Sequence, residues 1–122
     1  MAYLINSSGQ PVLVGSADAD TLDATTPATD STLIGLGGND LYLVDSSNDI
    51  VVEDSGGGID TVKSSVSYTL SPNVENLILT GSTNIDATGN ELNNALSGND
   101  GNNTLDGGAG ADTMIGGQGN DT

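Results

Sequence analysis

The chain of 122 residues has no cysteine, no histidine, no tryptophan and no phenylalanine, and Lys63 is its only basic residue. Without cysteine or histidine it lacks the ligands of a zinc finger or a haem iron, a thiol nucleophile, a disulfide framework and a histidine-based catalytic triad. With one basic side chain it cannot make the phosphate contacts that nucleic-acid binding requires. No apolar run is long enough to cross a membrane. The sequence therefore predicts no nucleic-acid partner and no membrane insertion.

Acidic and turn-forming residues dominate what remains. Seventeen aspartates and glutamates give a net charge of −16, while hydrophobic residues make up 34% and the aromatics are Tyr3, Tyr42 and Tyr68. Glycine, aspartate, asparagine, threonine and serine favour turns over helices. Such a composition approaches that of disordered chains, which bury too little apolar surface to offset their entropy. A single turn-rich domain, or part of a longer chain, is predicted, and its countercharge must come from solution.

A nine-residue repeat organises most of the chain. Blocks of nine follow one another without insertion from Ser71 to the end, where the last block, 116–122, stops part-way. The sixth residue of a block is usually Asp or Asn, and the eighth is apolar. Less regular copies occupy 15–23, 35–43, 44–52 and 55–63. The predicted inward-facing eighth residues are Leu22, Tyr42, Val51, Val62, Ile78, Ala87, Leu96, Leu105 and Met114.

The blocks 107–115 and 116–122 resemble the nonapeptide G-G-x-G-x-D-x-U-x (U apolar) of RTX, or hemolysin-type, calcium-binding proteins. Each block divides into a six-residue turn and a three-residue strand with one inward side chain. We therefore predict an all-β fold: a right-handed parallel β-roll, a solenoid of stacked two-strand coils with Ca²⁺ between turns. Residues 1–122 would form one domain, with a cap at 1–14, degenerate repeats at 15–63, an irregular strand-rich coil at 64–79 and C-terminal repeats at 80–122.

Calcium is the cation that this set of donors favours. Stacked coils lie about 4.8 Å apart, so sixth-position carboxylates repel one another unless an ion lies between them. Ca²⁺ takes six to eight oxygens, whereas transition metals prefer nitrogen and sulfur ligands that are absent here. Several ions are expected. The predicted ligand residues are Asp18, Asp20, Gly35, Gly37, Gly38, Asp40, Asp49, Gly56, Gly58, Asp60, Asn94, Asn103, Gly107, Gly108, Gly110, Asp112, Gly116, Gly117, Gly119 and Asp121.

The register predicts which of these residues meet. Asp20, Asp40 and Asp60 are spaced by twenty residues, because two-residue insertions near Ala24 and at Glu53-Asp54 lengthen the eighteen-residue coil. They should stack on one edge and form two sites, and Asp18 should add charge to the first. In the C-terminal half, Asn94 should stack with Asp112 and Asn103 with Asp121. These asparagines are either ligands or rungs of a hydrogen-bonding ladder, and the ladder is favoured.

The resemblance to RTX proteins implies a function outside the cell. Such proteins leave bacteria through a one-step exporter and fold on extracellular calcium. We expect a non-catalytic folding, secretion-assisting and spacer module of a larger secreted polypeptide, monomeric by itself. The start of the chain lacks a cleavable signal, so export would be directed from elsewhere, and the stop at Thr122 suggests a fragment.

Two alternatives remain open. One is an adhesin or ice-binding module, although the seventh positions mix threonine with leucine, isoleucine, aspartate and alanine instead of forming a regular array. The other is the accessory region of a secreted enzyme such as a lipase, a protease or an alginate epimerase. Any catalytic domain would then lie outside this chain.

Overall fold

The structure, a computed structural model, describes residues 2–26 and 29–122; Met1 of the predicted cap lies outside this range. Within that range the chain forms thirteen short strands and no helix, so it has no helix that could span a membrane. The strands are β1 (Ala2–Ile5), β2 (Pro11–Val14), β3 (Thr21–Asp23), β4 (Thr32–Ile34), β5 (Leu41–Val44), β6 (Ile50–Val52), β7 (Thr61–Ser64), β8 (Tyr68–Thr69), β9 (Asn76–Leu79), β10 (Ala87–Thr88), β11 (Ala95–Ser97), β12 (Leu105–Asp106) and β13 (Thr113–Ile115).

From β2 onward the strands alternate between two faces of a solenoid of about five turns. One face is a continuous parallel sheet in the order β13-β11-β9-β7-β5-β3. The other face consists of two sheets, β2-β4-β6 with β1 added at its edge, and β8-β10-β12. The predicted parallel β-roll of two-strand coils is confirmed. Among the strands of residues 2–26 and 29–122, only β1 pairs antiparallel, and it covers the outer edge of β2.

Coil length varies along the continuous sheet. Thr21, Leu41 and Thr61 pair in register, so the first two coils have twenty residues, as the insertions predicted. Thr61 then pairs with Asn76, which makes the next coil only fifteen residues long. The pairing of Ala95 with Thr113 restores the coil of eighteen. The short coil, from Thr61 to Asn76, overlaps most of the segment 64–79 predicted to be irregular.

The core is a double column of inward side chains. Leu22, Tyr42, Val62, Leu77 and Leu96 are paired neighbours on the continuous sheet, and each is at most 1% exposed. Burying a side chain of this kind contributes about 1.5–3 kcal/mol. Eighth-position residues are inward as predicted from Leu22 to Val62 and again from Ala87 onward, although Met114, on the last strand, is half exposed.

The prediction for Ile78 is wrong. Leu77, the seventh residue of that block, is fully buried, whereas Ile78 is only half-buried and pairs with Lys63 and Ser97. Because the coil from Thr61 to Asn76 is shorter than two full blocks, the strand enters one residue out of frame. A one-residue slip moves every side chain of a strand to the opposite face.

Candidate metal-binding edge

A ladder of carboxylates runs along the edge where the chain enters the continuous sheet. The Asp20 main-chain N–H donates to Asp40 Oδ1, and the Asp40 N–H donates to Asp60 Oδ1, each with an N···O distance of 2.8 Å. The Asp60 N–H donates to Glu75 Oε2 at the same distance. The structure therefore brings Asp20, Asp40 and Asp60 together in successive coils, and Glu75 continues their column.

The C-terminal repeats use the same contact. The Asn94 N–H donates to Asp112 Oδ1 at 2.8 Å, and the Asn103 N–H donates to Asp121 Oδ1 at 2.9 Å. The first of these pairs lies on the same edge as Asp60, and the second lies on the opposite edge. Both pairs are stacked as the spacing of eighteen predicts.

The first glycine of a block lies beneath the side chain of the sixth residue. A Cβ added at Gly107 would overlap Asp112 Oδ2, so that position has no room for a side chain. Four other blocks show the same overlap. The pairs are Gly35 with Asp40, Gly89 with Asn94, Gly98 with Asn103, and Gly116 with Asp121. This glycine is therefore required by close approach, which brings the carboxylate back over its own turn.

Other turn glycines lie on carbonyl oxygens of the preceding coil. Gly110 has a φ of 111°, and a Cβ there would come 2.6 Å from the Leu92 carbonyl oxygen. Gly108 and Gly117 approach the carbonyls of Asn90 and Asn99 in the same way. Gly38 lies over the main chain of the exposed Asp18. Turn carbonyls thus face the next coil and sit beside the stacked carboxylates, whereas Gly56 faces open space.

Three carboxylates converge in the interior between the second and third coils. Ligand oxygens of Asp40, Glu53 and Asp60 lie within 4.8 Å of one another, and the three side chains are 2%, 8% and 0% exposed. Tyr42 donates its hydroxyl to Glu53 Oε1. Asp40 Oδ2 and Asp60 Oδ2 are buried and have no hydrogen-bond partner. We call Asp40, Glu53 and Asp60 the interior triad.

Burial opposes charge in this triad. Desolvation raises the pKa of Glu53, and the charges of Asp60 and Asp40 raise it further against the opposing hydrogen bond from Tyr42. Desolvation also raises the pKa of Asp60, and neighbouring Glu75 and Asp40 add to the effect. The pKa of Tyr42 is raised well above its ordinary value by burial and by its bond to Glu53. Three clustered acids therefore require protons or a cation.

The donor set fits calcium. Ca²⁺ takes six to eight oxygen ligands from carboxylates, main-chain carbonyls and water. Each carboxylate of the triad presents one oxygen within 4.8 Å of the other two. Stacked carboxylates, turn carbonyls and a nine-residue period together identify the repeat, and the segments 28–51 and 88–122 match its family in four copies. These segments are RTX calcium-binding nonapeptide repeats.

The chain also resembles parts of two enzymes of Rhizobium meliloti (strain 1021). It is 39% identical to endo-1,3-1,4-beta-glycanase ExsH over 95 residues, and this aligned stretch covers 78% of this chain and 20% of that protein. It is 37% identical to endo-1,3-1,4-beta-glycanase EglC over 80 residues, and this aligned stretch covers 66% of this chain and 17% of that protein. The chain therefore spans about a fifth of the length of these relatives. No solved structure matches it closely enough to add to the comparison.

Two acidic residues outside the matched segments are not predicted by the repeat pattern. Glu53 lies in the two-residue insertion after block 44–52 and was counted only as a spacer, yet it belongs to the interior triad. The alternation along β6 contained the signal, because Val51 is inward and Val52 outward, so Glu53 is inward again. Glu75 follows a non-repeat turn and takes the ladder position of a sixth-position aspartate.

Other predicted ligands already have their hydrogen bonds. Asp49 accepts from the main-chain N–H groups of Ser31, Asp45 and Ser46, at N···O distances of 2.8–3.2 Å. Asn94 accepts from the Asn90 N–H and donates its amide to the Val74 carbonyl. Asn103 is held by equivalent bonds. These contacts favour a role in bracing the coils, and the ladder interpretation of the two asparagines is the one that they support.

Proposed function

We propose that this chain, with its RTX repeats, is a calcium-dependent folding module that carries no catalytic site and belongs to a larger secreted bacterial polypeptide. The observation that carries the proposal is the carboxylate ladder, in which successive main-chain N–H groups lock Asp20, Asp40 and Asp60 at the coil spacing. Two carboxylates about 4.8 Å apart repel by about 3 kcal/mol at an effective dielectric constant of about 20. A dication between them converts that repulsion into attraction.

The ions would be held between turns. Candidate donors on the edge of the continuous sheet are the carboxylates of Asp40 and Asp60 and the turn carbonyls around Gly37 and Gly58, while Asp112 offers the equivalent donor in the C-terminal repeats. The ion supplies positive charge and joins oxygens of neighbouring coils. Because it binds only the stacked state, it stabilises the fold by mass action.

The same linkage suits a protein that folds after export. Where calcium is scarce, a chain with a net charge of −16 repels itself and its thin core cannot hold the coils together. Where calcium is plentiful, the coils assemble. Calcium ions and the remainder of the longer polypeptide are the partners that this proposal requires, and the region alone should be monomeric.

Circular dichroism and calorimetry with added calcium test the proposal directly. The chain should show little β signal in calcium-free buffer at neutral pH and gain it as Ca²⁺ rises toward about 10 mM, the range of weak extracellular modules. Magnesium at the same concentration is the control for ionic strength and should be much less effective. No gain of β signal with calcium would refute the proposal.

A second candidate is narrower and rests on the two relatives named for glycanase activity. On this reading the region is the accessory repeat segment of a secreted glycan-degrading enzyme whose catalytic domain lies elsewhere. The chain alone should then release no reducing sugar from a mixed-linkage β-glucan, with or without calcium. Measurable hydrolysis by the isolated chain would overturn the non-catalytic assignment.

A further inference from the structure

We propose that Glu53 is a third carboxylate ligand of the calcium ion between Asp40 and Asp60, and that the Tyr42 hydroxyl is a neutral ligand of the same ion. This inference rests on the proposed function, since it needs a chain that binds calcium. It adds residues that lie outside the nine-residue pattern: Glu53 belongs to the insertion between blocks 44–52 and 55–63. The interior triad would then be the tightest site of the region.

The unpartnered oxygens point to a ligand. In the first coil, Asp20 Oδ2 accepts from both the N–H and the hydroxyl of Ser16, so that carboxylate is satisfied within its own turn. Asp40 Oδ2 and Asp60 Oδ2 receive no such bond and are buried. A buried carboxylate oxygen without a donor is costly unless a cation or a proton is supplied.

Glu53 is held in place to complete the group. Its Oε1 accepts from the Tyr42 hydroxyl, and its Oε2 receives a long contact of 3.3 Å from the Asp54 N–H. The Asn73 amide donates to the Glu53 carbonyl oxygen at 3.0 Å, which anchors the main chain. The carboxylate is therefore directed inward by strand alternation and by three contacts.

Gly35 leaves room for three of the proposed ligand oxygens to meet. A Cβ at this position would overlap the Tyr42 hydroxyl, Glu53 Oε1 and Asp40 Oδ2, so three oxygens meet at one point beside the main chain. In the C-terminal repeats, the three atoms nearest to a Cβ at the corresponding Gly107 all belong to the Asp112 side chain. The two sites thus differ in their charge. The triad consists of three carboxylates, whereas the C-terminal site pairs the carboxylate of Asp112 with an asparagine.

Charge count decides the order in which sites fill. Calcium affinity rises with the number of charged ligands and with the rigidity of the site. A third buried carboxylate should therefore give the triad a higher affinity than the C-terminal turns, where Asn94 stands opposite Asp112. Because its ligands come from β5, from the end of β6 and from the turn before β7, this ion would join two coils and both faces of the solenoid.

Calcium binding by Glu53→Gln, compared with Asp54→Asn, tests the inference. Both substitutions remove one negative charge from adjacent residues, but Asp54 is exposed and outside the triad. Isothermal titration should show that Glu53→Gln loses the tightest site, with at least about a tenfold rise in its Kd. Asp54→Asn should bind like the unmodified chain.

Terbium luminescence gives an independent readout, because Tb³⁺ occupies calcium sites and is sensitised by a nearby tyrosine. The chain has no tryptophan. Tyrosine-sensitised emission should appear at the first equivalent of Tb³⁺, be displaced by Ca²⁺, and be lost in Tyr42→Phe. Tyr68→Phe is the matched control, since the Tyr68 hydroxyl donates to the Asp49 carbonyl instead.

The outcomes separate the two claims. If calcium induces folding while Glu53→Gln and Asp54→Asn bind equally tightly, the inference is wrong and the proposed function stands. If the unmodified chain binds no calcium, both fail. Should Glu53→Gln not fold at any calcium concentration, the tyrosine pair decides: equal sensitised emission from Tyr42→Phe and Tyr68→Phe would overturn the inference.

Discussion

Asp60 accepts a hydrogen bond from the Asp40 main-chain N–H through Oδ1, at 2.8 Å, while its Oδ2 is buried without a partner. One carboxylate therefore does two things: it fixes the register of neighbouring coils and leaves an oxygen for a cation. On the opposite edge, both carboxylate oxygens of Asp49 accept hydrogen bonds from main-chain N–H groups. The two kinds of aspartate look alike in the sequence but differ in what they can still bind.

Asp40→Asn and Asp49→Asn should separate these roles. Asp40→Asn keeps the size of the side chain but removes a charge from the triad, so the calcium midpoint of folding should rise by about tenfold or more. Asp49→Asn loses acceptor strength at its three N–H donors, which costs about 1–3 kcal/mol, and should leave the calcium midpoint much less affected. Calcium titrations followed by circular dichroism measure both. Equal shifts of the midpoint would contradict the assignment.

Gly35→Ala should weaken calcium binding at the triad by displacing its ligand oxygens. The new methyl group would overlap the Tyr42 hydroxyl and the carboxylates of Glu53 and Asp40. We expect the tightest site to disappear in calorimetric titration and the stability in calcium to fall by more than the ~1–3 kcal/mol of ordinary overpacking.

Gly81→Ala is the control for that substitution. Gly81 has a φ of 82° and no atom within 4 Å of an added Cβ, so alanine there costs only backbone strain of about 1–2 kcal/mol. Its calcium stoichiometry should be unchanged. A Gly35→Ala variant with the full number of bound ions would show that the oxygens beside Gly35 are not calcium ligands.

The short coil can be checked through its core. Leu77→Ala removes a fully buried side chain and should cost about 2–5 kcal/mol in the free energy of unfolding. Ile78→Ala removes a half-buried side chain and should cost less than about 1.5 kcal/mol. Chemical denaturation in saturating calcium measures both values. A larger loss of stability in Ile78→Ala than in Leu77→Ala would mean that the eighth residue of the block is the inward one, and would contradict the fifteen-residue coil.

The sequence predicted the parallel roll, the stacking of Asp20, Asp40 and Asp60, and most of the core, because a nine-residue period carries that information directly. It did not predict Leu77 as the core residue of its strand, since a coil shortened to fifteen residues is set by the irregular segment around Ser71-Pro72-Asn73 and not by the repeat. Asn73 itself has a φ of 69°. Irregular turns of this kind carry no periodic signal.

The triad was missed for a related reason. Asp40 and Asp60 are sixth-position residues, but Glu53 falls in an insertion, where counting in blocks of nine assigns it no role. Its inward direction follows from strand alternation after Val51, and its meeting with Tyr42 requires the two faces of one coil to be placed together. Contacts across the solenoid depend on the packing of the core, so a one-dimensional period cannot supply them.

The ion-free chain should be more stable at pH ~4 than at pH ~7. Burial raises the pKa of Asp49, Glu53 and Asp60, so the folded state holds protons that the unfolded state has released. The stability linked to those protons is complete below the ordinary carboxyl pKa of about 4, and it is lost as the pH rises through the raised folded values. Asp20 acts in the opposite direction, since its bond from Ser16 lowers its pKa.

Calcium should reverse this dependence, because the ion needs ionised ligands and competes with protons for them. Thermal unfolding followed by circular dichroism gives the Tm at pH ~4 and at pH ~7, each with and without saturating calcium. From pH ~4 to pH ~7, we expect the β signal of the calcium-free chain to decrease and the β signal of the calcium-loaded chain to increase. A calcium-free chain that gains stability as the pH increases would mean that protons do not replace the cation at Glu53 and Asp60.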